Sequence, residues 1–333
     1  MKNDERAPLR IAAILVAALL AACAESKTGS TGTGAVPTEK FEALAAGTLV
    51  SAEPYSVGAA EIEIGAAPIR KGDDANAGAA ALRLGMSFEG AGTVTGTPGT
   101  ASLVLREGSA QYAARGPVDS VDAAASRFTV ATLTFIVDAN TLYDGVAGIG
   151  ALAPGSQVEV AGLPLADLHT LLATRVTQVA ADGDTSVPAR GTAFAPAAGT
   201  RVELEGIALG VAASGAFLLR TPARDYDVAP GAAVSAAVTS GVRVRVVATA
   251  TAPSSLASAT VTVIPGQIVY RVTCAVSELS SLASLRVRSE PVDLTTAVIR
   301  GGNASDIANG RRLSIVGTAG PGALRVSEAT LQP

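Results

Sequence analysis

Residues 154–160 read PGSQVEV, and this stretch is the clearest copy of the pattern that decides the fold. Its glycine is Gly155, and the apolar residues Val158 and Val160 follow three and five positions later, with the polar Glu159 between them. Apolar and polar residues that alternate with a period of two predict a half-buried β-strand, and the glycine predicts the turn before it. The same frame occurs at 84–90 (LGMSFEG), 240–246 (SGVRVRV) and 309–315 (NGRRLSI).

A second shared frame lies upstream of each turn and sets the length of the repeat. It starts at Gly47, Gly116, Gly206 and Cys274, each 35 to 39 residues before its turn glycine. Five short strands can be counted in the clearest copy, and a sheet of that size avoids long unpaired edges by closing into an OB-like barrel. The sequence therefore predicts an all-β protein of tandem five-stranded OB-like barrels. The four predicted repeats occupy 41–108, 109–180, 201–265 and 266–333.

One segment between the repeats has the composition of a linker. Residues 181–200 are rich in Gly, Pro, Ala and Asp, and they lengthen the spacing between the second and third copies. This composition is typical of a segment that makes few contacts. We therefore expect the chain from Arg201 onward to fold without the first two repeats.

The N-terminus, residues 1–22, has the anatomy of an export signal. Basic residues precede an apolar run at 11–22, whose 12 residues would span about 18 Å as a helix, less than the roughly 30 Å hydrocarbon core. The run ends in Leu20-Ala21-Ala22-Cys23, which resembles the lipobox of bacterial lipoproteins. The resemblance implies cleavage before Cys23, lipid on its thiol and, with Ala24 next, an outer-membrane address facing the periplasm. The alternative is an ordinary secretory signal in which the cysteine falls there by chance.

Residues 23–40 follow the signal as a predicted flexible tether. They consist largely of Gly, Ser, Thr and Ala and contain too few bulky apolar residues to bury a core. The chain has only two cysteines. With Cys23 committed to lipid, Cys274 is expected to be a free, buried residue on a strand face shared with Val272 and Val276.

Three segments of repeat 2 match a known pattern. They are Gly116-Pro117-Val118-Asp119-Ser120-Val121, Val137-Asp138-Ala139-Asn140-Thr141 and the stretch from Leu152 to Gly162. These segments resemble a repeated domain of unknown function in proteobacterial lipoproteins. The other three copies match only its skeleton, and residues 167–170 replace the Asp-Gly turn that is typical of the family. The resemblance implies small barrels and an envelope address, and it brings no catalytic residues.

Few residues are suited to catalysis or metal binding. His169 is the only histidine, and no Gly-x-Ser-x-Gly elbow exists to complete a Ser-His-Asp site with it and Asp167. Zinc needs several His or Cys ligands. Carboxylates gather at 73–74, 182–184 and 224–227, where solvated turn residues are a better interpretation than a calcium loop or the carboxylate pair of a hydrolase. We predict no enzyme activity, no catalytic residues, no cofactor and no metal.

Composition also disfavours nucleic acid as a partner. The chain has no Trp, five Tyr and six Phe, and its formal net charge is −4, whereas such binders use basic grooves and aromatic platforms. Two hypotheses remain. One is a lipid-anchored protein that presents its barrels to envelope proteins or glycans, and the other is a small-molecule or ion-binding module. A deep polar pocket between repeats would favour the binder, and exposed edge strands or apolar surface would favour the interaction protein.

Overall fold

A computed structural model describes residues 40–72, 74–96, 101–181, 184–188, 190, 194–264 and 266–333. Cys23, the predicted signal peptide and all of the predicted tether except Lys40 lie outside the described residues. Within the described ranges the regular structure consists of β-strands and three short 3-10 helices, and no helix there is long and apolar enough to cross a bilayer. The predicted all-β class is confirmed.

The strands fall into four groups along the chain. Barrel 1 contains β1 (Phe41–Ala52), β2 (Tyr55–Val57), β3 (Ala60–Glu63), β4 (Ile69–Lys71), β5 (Ser87–Thr95) and β6 (Ser102–Gln111). Barrel 2 contains β7 (Ala114–Asp122), β8 (Arg127–Val130), β9 (Leu133–Ile136), β10 (Leu142–Asp144), β11 (Gln157–Pro164) and β12 (Thr170–Gln178). Barrel 3 contains β13 (Arg201–Leu209), β14 (Phe217–Arg220), β15 (Asp225–Pro230), β16 (Arg243–Ala252) and β17 (Ser255–Val263). Barrel 4 contains β18 (Tyr270–Ser281), β19 (Ser284–Val287), β20 (Glu290–Asp293), β21 (Val298–Arg300), β22 (Arg312–Ala319) and β23 (Leu324–Leu331). The 3-10 helices are Ala79–Ala81, Ile149–Ala151 and Ala304–Asp306.

Each group closes through the same circuit of strand pairings. In barrel 1, β1 pairs with β2, β2 with β3, β3 runs parallel to β6, β6 pairs with β5, and β5 returns to β1. The corresponding strands close barrel 2, barrel 3 and barrel 4. Small five-stranded barrels are thus observed as predicted. The residue limits of the four predicted repeats stay a prediction.

An apolar cluster fills each barrel, and the clusters of barrels 3 and 4 also include residues of neighbouring barrels, such as Leu44 and Leu84. Phe88, Phe128 and Phe217, which the strand pattern directs inward, are all buried in these clusters. Full burial of an aliphatic or aromatic side chain of this kind contributes about 1.5–3 kcal/mol. The barrel interiors are therefore the main source of stability.

Cys274 departs in part from its predicted position. It lies in β18 between Val272 and Val276, which are 1% and 2% exposed. The thiol packs against the core of barrel 4 but is half-buried, so it lies nearer the surface than the alternation alone predicts.

The strand β1 joins three of the barrels. Its first half runs parallel to β13 of barrel 3, from Ala43 opposite Arg201 to Ala46 opposite Leu204. Its end pairs with β18 of barrel 4. Barrels 1, 3 and 4 therefore share one hydrogen-bonded sheet, and barrel 2 forms another. The two halves of the chain are in close contact, contrary to the expectation from the linker composition.

The described part of the predicted linker packs against its neighbours. Ser186 exchanges two backbone hydrogen bonds of 2.8 Å with Arg115 of barrel 2. Arg190 donates to the Thr221 carbonyl at 2.8 Å and to the Asp225 carboxylate at 2.7 Å, both in barrel 3. These contacts attach Ser186 to barrel 2 and Arg190 to barrel 3.

Candidate functional site

Two of the residues that the sequence singled out for chemistry, Asp167 and His169, lie in the same turn. His169 is exposed in the turn between β11 and β12. The Asp167 carboxylate accepts hydrogen bonds from the backbone N–H groups of His169 and Thr170, at 3.2 and 2.7 Å, and from the Thr170 hydroxyl at 2.7 Å. These bonds lower the pKa of Asp167. The carboxylate therefore orders the turn and makes no bond to the imidazole ring.

The described parts of the acidic segments do not form a metal site. Asp225 is neutralised by Arg190 and Arg220, whose guanidinium nitrogens lie 2.7 and 2.9 Å from its oxygens. Asp73 and residues 182–183 lie outside the described residues. Nowhere in the described ranges do three or more His, Cys, Asp or Glu side chains come close enough to hold a metal ion.

A buried group of charged side chains lies where barrels 1, 2 and 4 meet. We call Arg175, Asp144, Glu290 and Arg286 the central ion cluster. Arg175 of β12 donates to Glu290 of barrel 4 at 2.7 Å and to Asp144 of β10 at 2.8 Å. Arg286 donates to the second oxygen of Asp144 at 3.0 Å. Two positive charges thus meet two negative ones, as burial requires.

Barrel 1 contributes its backbone to this cluster through Leu84. The Leu84 N–H donates to Glu290 at 2.8 Å, and its carbonyl accepts from Arg175 at 3.0 Å. Arg175 and Glu290 are each 2% exposed. Burial works to lower the pKa of Arg175, but Glu290 and Asp144 outweigh it and raise that pKa, so the guanidinium stays charged. Arg175 of barrel 2 therefore binds both barrel 1, through Leu84, and barrel 4, through Glu290.

A second polar contact joins barrels 1 and 3. The Glu205 carboxylate accepts hydrogen bonds from the backbone N–H and the hydroxyl of Thr48, both at 3.0 Å, and it pairs with Arg243. A Cβ atom on Gly47 would lie 2.7 Å from the Glu205 Cβ. The shared glycine of the repeat frame is thus required here because another barrel approaches the backbone closely.

The strands that follow the turn glycines have their polar face covered by neighbouring barrels, which the alternation of residues alone did not indicate. Alternation placed Glu89 and Glu159 outside the barrels, and they are outside, yet they are only 4% and 8% exposed because neighbouring barrels pack over them. Glu159 of barrel 2 pairs with Lys71 of barrel 1 at 2.9 Å. One signal existed: the same position is acidic in two copies and basic, Arg245, in a third.

A cleft opens where barrels 1, 2 and 3 meet, and we call it the three-barrel cleft. It consists of two adjoining cavities, the larger about 90 Å³ in volume, that share Ser87, Gln111 and Pro222 in their walls. Leu133 and Leu171 of barrel 2 line the larger cavity. The cleft is therefore mostly apolar with a few polar groups.

Glu89 lines the smaller cavity and has an unusual electrostatic setting. Neither of its carboxyl oxygens has a hydrogen-bond partner among the described residues, and the same holds for the Ser87 hydroxyl beside it. Burial raises the pKa of Glu89 to about 8, while Arg224 and the nearby Phe194 N–H lower it by less. At neutral pH the group is mainly a neutral acid, able to donate one hydrogen bond and accept others.

Comparison with known proteins identifies one domain. Residues 115–177, which cover most of barrel 2, match the family model of a domain of unknown function, DUF5666. No curated protein matches the sequence. The match covers the copy whose segments resemble such a domain most closely in sequence.

Proposed function

We propose that this chain is a non-catalytic, lipid-anchored envelope protein that presents a rigid block of four barrels to envelope proteins or cell-wall material. The observation that supports this proposal best is the central ion cluster. A barrel that moved away would break the buried pair between Arg175 and Glu290. It would also expose Leu84 and Leu142 of barrels 1 and 2, which pack in the apolar cluster of barrel 4. The barrels should therefore keep one arrangement, as a docking platform requires.

The anchor in this proposal is Cys23, which follows the sequence Leu20-Ala21-Ala22. Two or three acyl chains would hold the block at the membrane surface. We expect Cys23→Ser to move the protein from the membrane fraction to the soluble fraction, and Cys274→Ser, the matched control, to leave it in place. Separation of inner and outer membranes should place the wild type in the outer one. A cleaved Cys23→Ser chain that stays with the membrane would contradict the proposal.

A second candidate, the binding of a small molecule, is favoured by Glu89 in the three-barrel cleft. The volume of the cleft limits the size of such a ligand, because typical ligand pockets measure about 300–1,000 Å³ whereas the larger cavity measures about 90 Å³. The ligand would therefore be smaller than the occupants of typical pockets. Native mass spectrometry should then show a small adduct on the wild type that Glu89→Gln loses. Identical masses after allowing for the substitution would exclude this candidate.

A further inference from the structure

The last strand of barrel 3 has a free edge where the other barrels have an additional strand. In barrels 1, 2 and 4 a short strand lies parallel to the last strand: β4 on β6, β10 on β12 and β21 on β23. In barrel 3, β17 pairs with β15 only as far as Ala259. Thr260–Val263 pair on one side with β16, and among the described residues no strand lies on their other side. We call Thr260–Val263 the open edge.

The length of one connection explains the difference. Between β15 and β16 there are 12 residues, 231–242, whereas the matching connections of barrels 1, 2 and 4 have 23, 20 and 18 residues. The longer connections contain the additional strand and a 3-10 helix. The short one retains a buried core residue, Val238, but has no strand to lay along β17.

Backbone groups of the open edge point away from the barrel. The Gly231 N–H donates to the Ala259 carbonyl at 3.0 Å on the β15 side, and the Ile264 N–H donates to β16 at 3.1 Å. Because backbone groups alternate in direction along a strand, the N–H and C=O groups of Val261 and Val263 face outward with no backbone partner among the described residues.

The matching groups in barrel 1 are paired. Gly108 stands opposite Gly90 of β5, as Val261 stands opposite Val246 of β16 in the shared frame. The Gly108 N–H donates to the Pro68 carbonyl beside β4 at 3.0 Å. The same position of the barrel is thus hydrogen-bonded in one copy and free in the other.

The side chains at the open edge do not protect it. Proteins usually protect such edges with charged residues, Pro or bulges. Here Thr260 and Thr262 are exposed, Val261 and Val263 are half-buried, and none is charged. β-Branched residues of this kind favour a further strand.

The three additional strands show what the open edge would accept. In barrels 1, 2 and 4 the residues equivalent to Val261 are Gly108, Val176 and Ala329. The additional strands place Ile69, Tyr143 and Ile299, respectively, opposite these residues. All three apolar side chains pack on the core of their barrel. The three additional strands also all run parallel to the last strand of their barrel. A two-fold axis would instead bring β17 of a second copy alongside in the antiparallel direction.

We propose that the open edge binds an extended segment of a partner protein, which adds a strand parallel to β17 and places a large apolar side chain opposite Val261. Main-chain hydrogen bonds to Val261 and Val263 would supply affinity, and the apolar side chain would supply selectivity. This inference rests on the proposed role in partner binding and names the surface for it.

The test uses the full chain and a synthetic peptide that copies residues 294–303, which include β21. Amide hydrogen exchange followed by nuclear magnetic resonance should show fast exchange at Val261 and Val263 in the free protein and slow exchange at Gly108. Addition of the peptide up to about 1 mM should slow exchange at Val261 and Val263. The matched control peptide, with aspartate in place of the residue that copies Ile299, should have no effect. The absence of any change with the first peptide would overturn the inference.

Substitution on the protein side supplies the second control. Val261→Pro removes the outward N–H and leaves the β16 pairing intact, because proline is accepted on the free side of an edge strand. It should abolish the peptide effect. If this variant does not fold, Thr262→Lys, which places a charge on the edge, should weaken the effect at least tenfold.

Other occupants of the open edge give different results in the same experiment. Protection of Val261 without peptide that rises with protein concentration would indicate a second copy, and protection that disappears when residues 24–39 are deleted would indicate this chain's own segment. Either result overturns the proposal of a partner protein. Crosslinking in whole envelopes tests the docking site separately from the proposed function. Loss of a crosslinked partner in Val261→Pro but not in Val298→Pro supports the open edge as the docking site. Retention of the same partner by Val261→Pro would overturn this docking site while leaving the proposed function standing.

Discussion

Replacement of Glu290 by alanine removes the carboxylate at the centre of the three-barrel junction. Arg175 would keep Asp144 but lose its 2.7 Å partner, and the Leu84 N–H would lose its acceptor at 2.8 Å. Both groups stay buried, because Arg175 is 2% exposed and Leu84 is 0% exposed. Breaking one partner of a buried ion pair costs about 3–5 kcal/mol, so we expect a loss of that size in the free energy of unfolding.

The matched control is Glu328→Ala in the same barrel. Glu328 pairs with Arg300 at 3.0 Å, but the two side chains are 45% and 61% exposed. Exposed pairs of this kind contribute about 0–1 kcal/mol. The comparison therefore separates burial from the mere presence of an ion pair.

Urea titration monitored by far-ultraviolet circular dichroism measures both variants. Glu290→Ala should shift the midpoint to much lower urea and, because it loosens barrel 4 from barrels 1 and 2, should broaden or split the transition. Glu290→Gln keeps the size of the side chain and isolates the effect of its charge. A shift no larger than that of Glu328→Ala would refute the view that the central ion cluster holds the barrels together.

Three further predictions concern protonation, folding units and the free thiol. Because burial raises the pKa of Glu89 from 4.5 to about 8, the folded chain keeps a proton that the unfolded chain releases between these values. The free energy of unfolding should therefore fall as pH rises through this range, and Glu89→Gln should flatten the fall; equal slopes in urea titrations would contradict this. A fragment of residues 201–333 should unfold at lower urea than the same barrels in the full chain, because β13 loses β1 and Glu205 loses Thr48; equal midpoints would show that the barrels are independent. Cys274→Ala should cost less than about 2 kcal/mol because the side chain is half-buried, and a thiol reagent should label the native Cys23→Ser chain more slowly than the denatured one, a difference that an activated thiol would abolish.

The barrel interiors could be predicted from the sequence because alternation along a strand depends only on the chain itself. Val158 and Val244 point inward and are fully buried, as the period of two indicates. The additional strands β4, β10 and β21 could not be predicted, since three residues are too few to show a period.

The junction between the barrels could not be predicted for a different reason. Glu89 and Arg175 are the kind of residue that a solvated strand face also has, and no local pattern tells whether water or another barrel covers that face. Their burial depends on contacts between distant parts of the chain. The same limit applies to the open edge, which becomes visible only when the four pairing circuits are compared.

The position of β1 also has consequences for the order in which the protein folds. The bond between Thr48 and Glu205 spans 157 residues, and the bond between Leu84 and Glu290 spans 206. Contacts of such high contact order form slowly, because a long loop must close before they bring any gain. Thus β1, which precedes every other described strand, is completed by β13 and β18 of the later barrels. Each barrel can close early, whereas the final arrangement has to wait for the C-terminal barrel, whose docking should be the slow step of folding.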